Sequence, residues 1–282
     1  MIRDIGRRVL QSAALAAALL FSASSSALVV KIDSFVIDRI PPIDLFLDNF
    51  DNNSTPSQET SRYAVRGSFP DGAESGGQLT LNTEWGELTA NAAGASRQAL
   101  ITTALTNNDP AFPGRGLIKS QGVEVSGVFS AVSPAGPLFN GYGVRVVDAI
   151  LGAASATRIA QLQVAYNSGQ ARIEYLLQDF VAGTITPLGS VAFAPGGADQ
   201  VALIIARESA ANDNFFAFYT LGTGGAFGDL IPLGDPAAMF VGTDFVRGQF
   251  FAATAVIPEP GTFGMVAMGG IAGLFLLRRR RQ

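Results

Sequence analysis

The chain has 282 residues, with no histidine, no cysteine, 15% charged residues and 48% hydrophobic residues. Without those two residue types it cannot build a Ser-His-Asp triad, a histidine-ligated zinc site, a disulfide bond or a thiolate nucleophile. Its 32 glycines and 14 prolines favour β-strands joined by many turns over a helical bundle.

The net charge of −4 is unevenly distributed along the chain. Residues 1–27 carry three arginines and one aspartate, and residues 258–282 carry four arginines and one glutamate. Residues 28–257 hold 12 basic and 21 acidic side chains, which makes this body net −9. An acidic body disfavours nucleic acid as a partner, because nonspecific binding to phosphates needs a basic surface.

The first 27 residues have the form of a secretory signal peptide. A basic stretch precedes an apolar run at 9–21, and small residues follow up to Ala27. We predict cleavage by signal peptidase after Ala27, with Ala23 as the alternative. The run of 13 apolar residues is short for a bilayer, which disfavours an uncleaved anchor.

The C-terminal 27 residues, 256–282, predict a membrane-spanning helix. An apolar segment at 261–277 would span about 25 Å as a helix, near the lower limit for a bilayer. The basic residues after it indicate a cytoplasmic end. They are Arg278, Arg279, Arg280 and Arg281.

Three parts in this order, Pro258-Glu259-Pro260, a short apolar helix and a terminal arginine cluster, resemble the PEP-CTERM sorting signal. The resemblance implies processing by exosortase, an inner-membrane protease, in a Gram-negative bacterium that makes extracellular polysaccharide. It implies a transient inner-membrane anchor, followed by delivery to the cell surface or the extracellular matrix. An ordinary C-terminal anchor is the alternative.

Between the two ends, residues 28–255 are predicted to form one all-β domain. Hydrophobic and polar residues alternate with period two in many short runs separated by turn residues, which is typical of a two-sheet antiparallel β-sandwich. A hairpin turn is predicted at 167–169, where asparagine and glycine tolerate positive φ. The strands are predicted at 63–69, 78–82, 99–104, 122–130, 141–148, 158–166, 170–178, 184–193, 200–207, 215–221 and 245–254.

The order of several short motifs resembles concanavalin A-like, laminin G-type jelly rolls. An aspartate-rich opening at 47–53 is followed by runs at 63–67, 77–81 and 143–146, and the last one lies at 244–247. The resemblance implies a jelly-roll sandwich of about a dozen strands. Any other two-sheet sandwich remains the alternative.

A calcium site is predicted around Asp48, Asp51 and Asn53, because hard Ca²⁺ takes six to eight oxygen ligands. Sandwiches of the type it resembles would bring Asp244 close to this opening. The alternative, which we favour, is a solvated turn whose side chains bond their own backbone.

Glycoside hydrolysis needs only two carboxylates, but Glu84 and Glu87 would point to opposite sides of a strand. Trp85, the single tryptophan, is a candidate for stacking on a sugar ring; the alternative, which we favour, is an anchor in the core or a loop.

We therefore predict an exported, non-catalytic surface or matrix protein associated with biofilm and extracellular polysaccharide. The alternative is a calcium-dependent carbohydrate-binding module with an exposed aromatic platform on a concave sheet; a glycoside hydrolase or lyase is less favoured. Candidates for the platform are Trp85, Tyr142, Tyr166 and Tyr175.

Overall fold

The computed structural model describes residues 27–40, 43–59, 63–91, 94–103, 108–109, 112–113, 117–118, 122–135, 139–149, 158–167, 169–179, 182–207, 214–238 and 245–256. The predicted signal and transmembrane helices lie outside these residues, apart from the predicted cleavage residue Ala27 and the first residue of the C-terminal signal. Residues 27–255 form one compact unit.

Twenty-one strands and one 3₁₀ helix, Thr83–Trp85, make up the described secondary structure. The strands from the first half of the chain are β1 Val29–Ile40, β2 Ile43–Asp48, β3 Tyr63–Arg66, β4 Glu74–Ser75, β5 Gln78–Asn82, β6 Glu87–Asn91, β7 Gly94–Thr103, β8 Asn108–Asp109, β9 Phe112–Pro113, β10 Leu117–Ile118 and β11 Gly122–Ser130. Those from the second half are β12 Asn140–Ala149, β13 Arg158–Asn167, β14 Gln170–Asp179, β15 Thr184–Ala192, β16 Gln200–Arg207, β17 Asn214–Thr223, β18 Ala226–Phe227, β19 Ile231–Pro232, β20 Ala237–Ala238 and β21 Phe245–Val256.

All the strands except β8 and β9 form two large antiparallel sheets, one of them curled into a half-barrel, and β8 pairs with β9 in a separate two-stranded sheet. Sheet A has the order β18-β17-β16-β11-β1-β5-β4, with β2, β19 and β20 at its margins. Sheet B has the order β15-β14-β13-β12-β21-β7-β3, with β6 and β10 added. The all-β prediction is therefore confirmed, and the curled sheets are compatible with a jelly roll.

The core between the sheets is built from alternate residues of each strand. In β13, Leu162 and Val164 are fully buried in it, and in β16 Leu203 and Ile205 are. Such burial removes apolar surface from water and is the main stabilising force in a chain without disulfides. The alternation that predicted these strands therefore marks the core face.

An aromatic cluster lies in the core around Phe250 of β21. Its ring centroid is 4.7 Å from that of Phe35, 5.9 Å from that of Phe50 and 6.2 Å from that of Tyr63. All four rings are at most 3% exposed. Because Phe35 belongs to sheet A and Phe250 to sheet B, this cluster joins the two sheets.

The predicted hairpin at 167–169 is confirmed by the register of β13 and β14. Asn167 pairs with Gln170, and Gly169 has a φ of +91°. Glycine takes this left-handed conformation at little cost, which explains its place in the turn.

Strands β1 and β2, at the start of the body, were not predicted from the sequence. In β1 the pairing register shifts between Ile32 and Ser34, and the core residues on either side of the shift are Ile32 and Phe35. The shift puts an extra residue into the strand and interrupts period-two alternation. The bulge therefore hides a strand that the alternation would otherwise indicate.

Candidate functional site

The predicted calcium ligand Asp48 has a structural position at the end of β2. Its side chain is 4% exposed and accepts a hydrogen bond at each oxygen. The backbone N–H of Phe50 donates to Oδ1 (2.8 Å), and the Tyr63 hydroxyl donates to Oδ2 (2.5 Å). These bonds stabilise the tight turn in which Phe50 takes a positive φ of 51°.

A second carboxylate, Glu74 of β4, lies inside the loop that follows Asp48. It is 2% exposed and accepts hydrogen bonds from the backbone N–H groups of Asn53 and Ser54. Its Oε1 atom has no hydrogen-bond partner. A buried oxygen without a partner carries an uncompensated desolvation cost.

The environment of Glu74 disfavours its charged form. Burial first, and then the negative charges of Asp48 and Glu59, raise the pKa of Glu74 from its ordinary 4.5 to about 6. Because the pKa is higher in the folded than in the unfolded state, Glu74 contributes stability that is fully present below about pH 4.5 and is lost as the pH rises through about 6.

The structure thus brings Asp48 and Asn53 together around Glu74, and the calcium site stays a prediction. Asp51 and Asn53 have exposed side chains, and Asp244 lies outside the described residues. Within the described part of the chain, no three acidic, histidine or cysteine side chains are arranged to hold a metal ion. A cation here would need backbone or amide oxygens as further ligands.

Trp85 closes the 3₁₀ helix and is half-buried against the core. Its ring meets Phe69 edge-on at 6.3 Å, and its backbone oxygen accepts a hydrogen bond from Ser68 (2.8 Å). Of the other platform candidates, Tyr142 and Tyr175 are fully buried in the core and Tyr166 is half-buried. These positions favour the interpretation of Trp85 as an anchor.

The most extensive cluster of polar side chains lies on the face of sheet B that points away from the core. We call it the polar face. Its buried polar members are Arg145, Gln161, Gln163, Glu174 and Gln249, and Phe251 is a buried apolar residue on the same face. Its less buried members are Arg66, Arg172, Gln178 and Arg247. Cross-strand pairing places several of them opposite each other, because Arg145 pairs with both Gln161 and Gln249 and Gln163 pairs with Glu174.

A chain of hydrogen bonds crosses the polar face. Arg145 Nε donates to Gln161 Oε1 (2.5 Å), and the Gln161 amide donates to Gln163. Gln163 Nε2 in turn donates to Glu174 Oε2 (2.9 Å). The chain runs from a cation to an anion, so each amide is oriented by its neighbours.

Arg145 is the most unusual member of the face. It is 7% exposed, and its guanidinium carbon lies 3.8 Å from the centroid of the Phe251 ring. Burial first, and then the positive charge of Arg66, lower the pKa of Arg145 to about 9. Arg145 therefore remains protonated at neutral pH, in a place where a charge is expensive to bury.

Sequence reasoning missed the polar face although a signal was present. In β13 the polar residues Gln161 and Gln163 alternate with core residues, and Glu174 does so in β14. From alternation alone, such polar residues are predicted to form a solvent-exposed face. Their burial and their assembly with Arg145 depend on strand order, which the alternation does not contain.

The decisive observation for the destination of the protein comes from the C-terminus. Residues 256–281 match the PEP-CTERM protein-sorting motif. The motif contains Pro258, Glu259, Pro260 and the arginines up to Arg281, and it confirms the sorting prediction. It implies processing by exosortase, export and sorting to the cell envelope.

The motif covers a small part of the chain, and all but its first residue lies outside the described residues. No curated protein matches the chain. Among the described residues, no helix combines the length and apolar character needed to cross a membrane. The sorting motif therefore indicates where the protein is delivered, and it contains no information on the function of the body.

Proposed function

We propose that the chain is an exported, non-catalytic protein of the cell surface or extracellular matrix whose sandwich associates with extracellular polysaccharide in a biofilm. Signal peptidase and exosortase would process its two ends. The observation that supports polysaccharide association is the polar face of sheet B. Its less buried members are Gln178, whose carboxamide both donates and accepts hydrogen bonds as sugar hydroxyls do, and Arg66, Arg172 and Arg247, which supply further donors.

The test is fractionation of a Gram-negative host that has exosortase and makes extracellular polysaccharide. We expect the body to be recovered with the matrix and to be released when the polysaccharide is digested by glycosidases. The matched control replaces Pro258, Glu259 and Pro260 with alanine, and this variant should stay in the inner membrane. A body that remains in the pellet after digestion, or is free in the medium before it, would contradict the proposal.

Calcium-dependent carbohydrate binding is the second candidate, and the buried Glu74 carboxyl favours it. Oε1 of Glu74 has no partner, and the charges of Asp48 and Glu59 are close enough to raise its pKa. A cation beside this oxygen would offset both the desolvation and the repulsion.

We expect millimolar calcium to raise the Tm of the wild-type protein and EDTA to reverse the shift. Glu74→Gln should lose most of the shift, because it removes the carboxylate with the open oxygen. Asp229→Asn, which removes an exposed acid elsewhere, should keep it. Equal Tm values in calcium and EDTA would eliminate this candidate.

A further inference from the structure

We propose that the polar face of sheet B binds an acidic saccharide, with Arg66 and Arg247 as the groups that contact its carboxylates and Arg145 as a buried positive charge beneath them. The inference rests on the proposed association with polysaccharide and names the class of saccharide. No histidine or metal is needed for such recognition, since arginine pairs with carboxylates through two parallel N–H donors.

The distribution of charge is the first argument. The body carries 12 basic residues against 21 acidic ones. Four of the 12, Arg66, Arg145, Arg172 and Arg247, lie on the outward face of sheet B. Among the described residues that face also carries two acidic side chains, Glu174 and Glu87, because Glu87 pairs with Gln98 and Arg66 pairs with Leu100 of β7. A locally positive face on an acidic body is suited to an anionic ligand, because complementary charge selects the partner and fixes its position.

The setting of Arg145 is the second argument. In the described part of the chain its guanidinium meets the Phe251 ring and the Gln161 amide rather than a carboxylate. Ring and amide hold the guanidinium plane in one orientation without neutralising its charge. No carboxylate within the described ranges contacts this buried cation to offset the cost of burial, and the charge of a bound saccharide carboxylate would reduce that cost.

Arg247 provides a third, independent observation. Its Nε atom is buried and has no hydrogen-bond partner among the described residues. In register, Val147 pairs with Arg247 and Arg145 pairs with Gln249, so the two arginines are diagonal neighbours on adjacent strands. Diagonal side chains on one sheet face are close enough for long residues to act on the same ligand.

Arg66 extends the face toward solvent. It is exposed, and its positive charge contributes to the lowered pKa of Arg145. Strand β3 is three positions from β12 in sheet B, a distance of about 14 Å at the usual strand spacing. An extended oligosaccharide that contacts Arg66 would therefore reach Arg247 on β21 farther along.

The chemistry of the face favours a saccharide over a nucleic acid. The half-buried Gln178 carboxamide matches hydroxyl groups, whereas a duplex presents a dense row of phosphates that the net −9 body repels. A uronate polymer has one carboxylate and several hydroxyls per unit, so it can use both kinds of side chain. Gln161 and Gln163 are positioning residues for Arg145.

The test is isothermal titration of the full chain in nanodiscs with three probes at low salt. They are a polyuronate oligosaccharide, a neutral glucan of equal length and a DNA duplex. We expect polyuronate to bind, with an affinity that falls as salt is added, and neutral glucan to bind at least tenfold more weakly. Arg66→Gln should weaken polyuronate binding about tenfold or more, the loss expected for one charge-assisted contact.

Lys31→Gln is the matched control, because it removes an exposed charge on sheet A that bonds Gln78. It should leave polyuronate binding unchanged, and Arg247→Gln provides a second variant if Arg66→Gln perturbs folding. Equal binding of neutral glucan, tighter binding of DNA, or an unchanged affinity of both arginine variants would overturn the inference. If neither saccharide binds while the body still fractionates with the matrix, this inference is wrong and the proposed function stands.

Discussion

Replacing Phe250 with alanine is expected to lower the free energy of unfolding by about 3–5 kcal/mol, as for other fully buried aromatic side chains. Phe250 is 0% exposed and its ring contacts Phe35, Phe50 and Tyr63. Removing it leaves a cavity between the two sheets, and the rings of Phe35 and Tyr63 belong to strands that cannot collapse inward without losing their pairing. Urea unfolding of the purified protein measures the change.

The matched control is Phe227→Ala in β18. Phe227 is 37% exposed, so its removal should change the free energy of unfolding by much less, about 0.5 kcal/mol. Similar losses for the two variants would mean that the aromatic cluster does not hold the sheets together. A loss confined to Phe250→Ala places the stabilising contact between sheet A and sheet B.

Replacing Gly143 with alanine is expected to cost about 1–3 kcal/mol or more, because the new methyl group has no room. A Cβ atom on Gly143 would lie 2.1 Å from the backbone oxygen of Leu162 and 2.8 Å from Cα of Gln163. Both are backbone atoms of β13, so relief requires the strands β12 and β13 to move apart. Unfolding in urea again gives the magnitude.

Gly228→Ala is the control, since its Cβ would be 3.8 Å from Thr220 Oγ1 and 3.9 Å from the backbone oxygen of Leu221. We expect this variant to unfold almost like the wild-type protein. Gly143 also pairs with Gln163 and Phe251, so its substitution should disturb the polar face as well as the stability. Equal stability of the two variants would show that β12 and β13 can separate at little cost.

The hairpin of β13 and β14 shows where local sequence is sufficient. Alternating residues identify the strands, and the turn at Gly169 identifies the connection, since both depend on neighbours in the chain. Strand β1 shows the limit, because its bulge shifts the pattern by one residue at Ser34. A bulge is stabilised by the partner strand β11, which is some 90 residues away in the chain.

Neither the surroundings of Glu74 nor the polar face could be assembled from the sequence, and the reason is similar for both. Asp48 and Asn53 were recognised as an oxygen-rich turn, but Glu74, which this turn surrounds, belongs to a different strand. The polar face combines residues from β3, β12, β13, β14 and β21, and its members Arg66 and Phe251 are 185 residues apart in the chain. Only the order of strands in sheet B makes them neighbours.

The sequence contains no histidine and no cysteine, and this alone excludes whole classes of catalysis without any structure. The sequence alone also determined the sorting route, because a signal read as a linear segment by a processing enzyme has to be encoded contiguously. The tertiary structure decided the rest. The buried charge of Arg145, the raised pKa of Glu74 and the core position of Tyr142 and Tyr175 all depend on desolvation and on neighbours from other strands. These are properties of packing, which a linear pattern does not contain.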